Sequence, residues 1–188
     1  MSKKIKLRNV RLSYEHIFTP TAFDENQDKK YSATFIIPKD HPDLPAVKRA
    51  MHEAGAEKYP TAFTGQTWPK GYTCSLKDAD TFTDSMGESL AEKNPAYAGC
   101  YILEANSTRR PVAIDRHKAA VQEDDGVIYS GCYVNASLAA AAYEYGKIKK
   151  GVKCYLNGVQ FVRDGERFGT DALGDFDDLE DDDDDFYN

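Results

Sequence analysis

The stretch that most limits how this chain can fold is residues 127–163. In VIYSGCYVNASLAAAA, residues 127–142, Ile128, Cys132, Val134, Ala136 and Leu138 share one parity, Ser130 being the polar exception. Tyr129, Gly131, Tyr133, Asn135 and Ser137 take the other. Successive side chains of a strand point to opposite faces, so the pattern predicts a strand with one buried and one uncommitted face. The alanine run 139–142 favours helix, but the alternation before it and the glycine-bounded EYGKIKKG after it read as a hairpin. VKCYLNGVQFVR, residues 152–163, is the returning strand, with Val152, Cys154 and Leu156 inward and Lys153 and Tyr155 outward.

A hairpin of this length needs further strands to cover its apolar face. KIKLRNVRLSYEHIF, residues 4–18, alternates and then changes phase near Asn9, as a bulged strand does. KYSATFIIP at 30–38 and YAGCYILEAN at 97–106 are two more, and a short strand fits 72–76 in an otherwise loop-rich stretch. Residues 43–59 form the one helix, with Asp43 as its cap, Pro45 in the first turn, and Val47, Ala50, Met51 and Ala54 at helical spacing. Five or six strands and one helix predict a mainly β protein built as a small, partly open barrel.

The charge is divided. From Asp171 onward there are ten acids and no Lys or Arg, whereas the preceding 170 residues carry 24 basic and 21 acidic side chains, a net +3. The chain is therefore expected to comprise a domain over 1–170 and a disordered acidic tail over 171–188. A basic body can bind an external polyanion, with which its own tail would then compete. The tail closes with Asp181, Asp182, Asp183, Asp184 and Asp185, then Phe186 and Tyr187. Rings at the end of a polyanion offer the charge and stackable faces of a single nucleic-acid strand, a pattern that favours interaction over mere solvation.

Catalytic patterns are absent. His16, His41, His52 and His117 are isolated, and no phosphate-binding glycine loop or nucleophile elbow occurs. No catalytic residue, metal or cofactor is expected. Cys74, Cys100, Cys132 and Cys154 lack C-x-x-C spacing and sit among apolar or small residues, which predicts free, buried thiols. The start MSKKIKLRNV has no apolar signal core and no stretch of eighteen apolar residues occurs, so a soluble, intracellular protein without membrane contact is expected.

Aromatic residues carry the functional signal. YAGCY at 97–101 and YSGCY at 129–133 place tyrosines four apart around a glycine. Outward tyrosines beside lysine suit base stacking with phosphate neutralisation, since every base has a π-face. Tyr129, Tyr133, Tyr101, Tyr155, Trp68 and Tyr72 are the candidate stacking residues. Lys70, Lys77, Arg109, Arg110, Lys149, Lys150 and Lys153 are the candidate phosphate contacts. The competing reading makes the tyrosines cross-strand pairs, or places them beneath a loop, and makes the basic residues solvated surface.

Five blocks, VRLSYEHIFTPTAF (10–23), KYSATFIIPK (30–39), YAGCYILEANS (97–107), VIYSGCYVNASLAAAAY (127–143) and GVKCYLNGVQFVRDGERFG (151–169), together resemble a family of bacteriophage single-stranded DNA-binding proteins, the Enc34 type. The resemblance covers nearly the whole chain. It implies an OB-fold, a sequence-tolerant grip on single-stranded DNA during phage replication and recombination, and a place in the cytoplasm of an infected bacterium. It also implies no catalysis, and an acidic tail that recruits replication or recombination proteins. Two alternatives stand beside it: an adaptor working only through its tail, and a metal-dependent nuclease using the acidic residues.

Overall fold

The computed structural model describes residues 2–22 and 24–169. Eight strands are formed: β1 (Lys3–Thr21), β2 (Lys30–Pro38), β3 (Thr73–Cys74), β4 (Leu76–Asp78), β5 (Cys100–Ser107), β6 (Val112–Ile114), β7 (Tyr133–Tyr145) and β8 (Lys149–Arg163). Helix α1 spans Leu44–Lys58 and a one-turn helix α2 spans Leu90–Lys93. The tail candidates Asp181 to Asp185, Phe186 and Tyr187 lie outside the described residues.

Strands β1, β2, β5, β8 and β7 form a ring, because β7 pairs with β1 and β5 pairs with β8. That ring is the five-stranded barrel of an OB-fold. Its joints are unequal. β7 and β8 pair along nearly their whole lengths, whereas the parallel β5–β8 joint has only Ala105↔Cys154 and Asn106↔Tyr155. Where β5 and β8 diverge, the segment 73–78 enters the seam, β3 pairing with β8 and β4 with β5. The expected partly open barrel is thus a ring whose weakest joint is stopped by a short inserted segment.

The alternation seen in the sequence holds through the hairpin. Val134, Leu138, Ala140, Cys154 and Leu156 are buried in one core with Leu7, Phe35, Ile37 and Leu103. α1 closes the barrel end by adding Leu44, Val47, Met51 and Ala54 to that core. The phase change in β1 is a bulge between Leu7 and Val10, with Asn9 at φ 52°. Asn tolerates this left-handed conformation better than most residues. Asp43 does not cap α1 through its side chain. Its carboxylate instead takes the Arg8 backbone N–H (3.0 Å) and guanidinium (2.7 Å), which hold its pKa below the usual carboxylate range.

Two strand starts are later than the alternation predicts. β5 begins at Cys100 and β7 at Tyr133, each just after a glycine with positive φ or within two residues of one, Gly99 at 70° and Gly131 at 111°. The two YxGCY motifs are therefore turns that lead into strands, and the first tyrosine of each precedes the sheet. Tyr97 is buried, its hydroxyl 3.0 Å from that of Ser13. A second, smaller core forms where Ala79, Tyr97, Leu90 and Ala91 cover Ile36 and Ile102, on the outer face of β2 and β5.

Candidate nucleic-acid interface

The seam between β5 and β8 is also the floor of a concavity, a groove of about 1040 Å³ walled by α1, the 66–82 segment, β5 and the β7–β8 hairpin. Trp68, Tyr72, Phe82, Tyr101 and Tyr143 line it, with Lys48, Lys77 and Lys153. The rings arrive from four separate parts of the chain. Trp68 and Tyr72 are fixed by packing on Phe63, edge-on at 5.0 and 5.3 Å between ring centres. The Trp68 indole N–H donates to the Tyr72 carbonyl at 2.7 Å. Tyr59 adds a further edge contact on Tyr72, at 4.9 Å. The loop that carries these rings is therefore a small aromatic core of its own, which holds Trp68 at the groove wall.

Lysines lie over most of the groove's rings. The Lys48 ammonium sits 4.2 Å from the centre of the Tyr101 ring, Lys77 4.8 Å from Phe82 and Lys150 4.4 Å from Tyr72. Lys153 stands between Tyr143 at 5.4 Å and Tyr155 at 5.0 Å. Such contacts are worth about 0.5–1 kcal/mol at exposed sites, less than the roughly 1–3 kcal/mol of a stacked base. A base can therefore displace the ammonium and leave it free to pair with the adjoining phosphate. Lys77 has a carboxylate at hand, Glu104 at 3.2 Å, the lysine being half-buried and the glutamate exposed.

Five of the sequence candidates, Trp68, Tyr72, Tyr101, Lys77 and Lys153, line this groove. Lys150 and Tyr155 adjoin it through the contacts just given. Lys70 is exposed on the Trp68–Tyr72 loop, and Lys149 is exposed at the start of β8. Arg109 and Arg110 are exposed on the β5–β6 connection, where Arg110 donates to Gln122 at 2.8 Å. The groove also holds Lys48, Phe82 and Tyr143, which the sequence reading does not single out. Tyr143 has the same parity as Tyr133, so extending the alternation along β7 would find it. Lys48 and Phe82 meet the groove only through the packing of α1 and the 79–98 segment, for which the sequence has no local signal.

Tyr129 and Tyr133 do not line the groove. They lie beneath the end of β8 and the segment that follows it, where Arg163 covers the Tyr133 ring at 3.5 Å and Arg167 the Tyr129 ring at 4.0 Å. The Tyr129 hydroxyl donates to the Asp164 carboxylate at 2.8 Å and accepts from the Gly165 N–H at 3.1 Å. Arg11 secures the same strap by donating to the Glu166 carbonyl (2.6 Å) and stacking 4.0 Å over Phe168.

The groove has little reactive chemistry. Burial pushes the Cys74 thiol up to about 11 and the Cys154 thiol beneath it to about 12, so both stay protonated at neutral pH. The four cysteines are free thiols. Among the described residues no group of three or more His, Cys, Asp or Glu is placed to hold a metal, and no helix is long and apolar enough to cross a membrane.

Comparison with known proteins agrees with this geometry. The family model described as Enterobacter phage Enc34, ssDNA-binding protein, matches residues 3–187. A protein of Acyrthosiphon pisum secondary endosymbiont phage 1, named putative protein p50, is 37% identical over 180 residues, covering 94% of each chain. The single-stranded DNA-binding protein from bacteriophage Enc34, solved in complex with ssDNA, superposes with a TM-score of 0.68 at 26% identity, over 89% of this chain and 90% of that one. The single-stranded DNA-binding protein gp2.5 of bacteriophage T7 shares the fold at 14% identity, with a TM-score of 0.55 over 90% of this chain and 96% of its own.

Proposed function

The chain belongs to the family of the Enterobacter phage Enc34 ssDNA-binding protein, and from that premise we propose that it binds single-stranded DNA in the groove beside the β5–β8 seam. Bases stack on Tyr72, Phe82, Tyr101 and Tyr143, and Lys48, Lys77, Lys150 and Lys153 turn from the rings to the phosphates. The observation that carries this reading is the set of lysines resting on aromatic faces in one groove. Both things a single strand presents, a π-face and a charge, meet their complements there. Sequence tolerance follows, because neither stacking nor charge neutralisation reads base identity. The role is to coat strands exposed in phage replication and recombination inside the host cell, with the acidic tail moderating access to DNA and recruiting partner proteins.

The test is a comparison of dT, mixed-sequence and duplex oligonucleotides of one length, by fluorescence anisotropy of labelled DNA. Both single strands are expected to bind with similar affinity and the duplex far more weakly. Equal binding of duplex would reject the reading. For the tail, deletion of residues 171–188 removes ten negative charges. It is expected to tighten single-strand binding at low salt, with the gain fading as the Debye length falls from about 30 Å at 0.01 M to about 10 Å at 0.1 M. No gain at low salt would leave the tail with partners or solubility alone.

A further inference from the structure

The outer face of β2 and β5, where an OB-fold ordinarily takes oligonucleotides, is covered here at Ile36 and Ile102 by the 79–98 segment, which leaves only its Glu104–Asn106 end open to the groove. A strand leaving the groove needs another surface, and the β1–β7–β8 sheet offers one. The registers Lys4↔Ala139↔Tyr155 and Lys6↔Ser137↔Gly158 run across three strands, and their side chains share the face away from the core. The same face continues to Arg11↔Tyr133↔Arg163 at the far end of the hairpin. At the near end, Ala141↔Lys153 places Lys153 on this face while its ammonium also reaches the groove ring Tyr143.

The charge pattern on the central stretch of this face is one-sided, Glu15 of β1 and Glu144 of β7 lying beyond it. None of the 31 acidic residues of the chain falls within 4–11, 133–143 or 153–163, which hold Lys4, Lys6, Arg8, Arg11, Lys153 and Arg163. Asp and Glu are disfavoured in strands, but so is Lys, so strand propensity alone does not explain the absence of one sign. Lys4 and Lys6 are exposed, and neither has an ion pair among the described residues. Ser137 and Ala139 between them and Tyr155 are small, so the middle strand is a low floor flanked by lysines on β1 and by a ring that is 38% exposed on β8.

We propose that the outer face of β1–β7–β8 is a second stretch of the DNA path, reached from the groove through Lys153. Lys4 and Lys6 contact phosphates there and Tyr155 takes a base. The inference rests on the groove reading above and extends it: short strands occupy the groove alone, and longer ones continue over the sheet.

The test pairs Lys4→Ser/Lys6→Ser with strand length, using dT oligonucleotides from 4 to 16 nucleotides, about the span of site sizes for one OB-fold. A control variant, Lys29→Ser/Lys118→Ser, removes the same charge from exposed loops off the path. On the longest strand the Lys4/Lys6 variant is expected to show a log–log salt slope shallower by about 1.4, at about 0.7 for each phosphate that is no longer neutralised on a single strand. On the shortest strand both variants are expected to match the unaltered protein. Equal slopes for all proteins on the longest strand would overturn the inference and leave the groove reading intact. So would a drop in affinity as large on the shortest strand as on the longest, or an equal drop in the control. If the unaltered chain binds no single strand at all, the groove reading itself fails.

Discussion

The molecule stacks cations on tyrosines in two regions, and they differ in what holds the cation. In the groove, Lys48 reaches Tyr101 from another element and Lys150 reaches Tyr72, each on a flexible stem. Under the strap, the exposed Arg163 and Arg167 lie on Tyr133 and Tyr129 at 3.5 and 4.0 Å, beside a close approach of two backbone segments. Gly131 and Gly165 pass so closely that a Cβ on either would meet the other side's backbone, at 2.0 Å from the Glu166 oxygen and 2.1 Å from the Gly131 oxygen. One set of rings is covered by lysine side chains; the other is covered by exposed arginines and is also tied to backbone at Gly165. The pairing is chemically alike, and the proposed exchange of a cation for a base is assigned to the first set.

The largest effect on binding is expected in the groove. Phe82→Ala with Tyr101→Ala is expected to weaken single-strand binding by about 2–6 kcal/mol, at roughly 1–3 kcal/mol per base stacked. Tyr101→Phe should keep most of the affinity, and a melting curve for each variant separates weakened binding from a damaged fold. Under the strap the largest effect should fall on stability instead. Gly131→Ala forces an alanine to φ 111° against the Glu166 carbonyl, a strain and overlap of about 3 kcal/mol. The melting temperature is expected to drop by roughly 6–12 °C, at about 2–4 °C per kcal/mol for a chain of this size, with DNA affinity unchanged below the transition. Weaker affinity in the folded protein would make the strap part of the binding surface.

Smaller changes sharpen the contrast. Tyr129→Phe removes the hydroxyl that joins Asp164 and Gly165 and should cost about 1 kcal/mol of stability, read by denaturant unfolding, with no change in DNA binding. Lys48→Ala uncovers Tyr101 while deleting one phosphate partner. Its expected signature is a salt slope shallower by about 0.7, with little change in affinity at high salt, where a phosphate partner matters least.

Much of the barrel was legible in the sequence, because period-two alternation is a local property. The β7–β8 hairpin, the inward set Val152, Cys154 and Leu156, the Asn9 bulge and helix α1 all follow from patterns a few residues long. What stayed hidden depended on contacts across the chain. Alternation could not reveal that Gly99 and Gly131 delay their strands, because the burial pattern of a turn can mimic that of a strand. Asp43 looks like a cap until Arg8, 35 residues earlier, takes its carboxylate. The candidate site divided in the same way. Parity marked Lys153 and Tyr155 as outward, but nothing local separated Tyr133, beneath the strap, from Tyr143, which has the same parity and lines the groove.

Whether bases stack in the groove and not under the strap is tested by the chain's one tryptophan. Trp68 lines the groove, so its emission, excited selectively, reports on that region alone. Titration with oligo-dT is expected to change Trp68 emission in step with binding measured by anisotropy, and duplex DNA is expected to leave it unchanged. Tight single-strand binding without any response from Trp68 would contradict the account and move the site away from the groove.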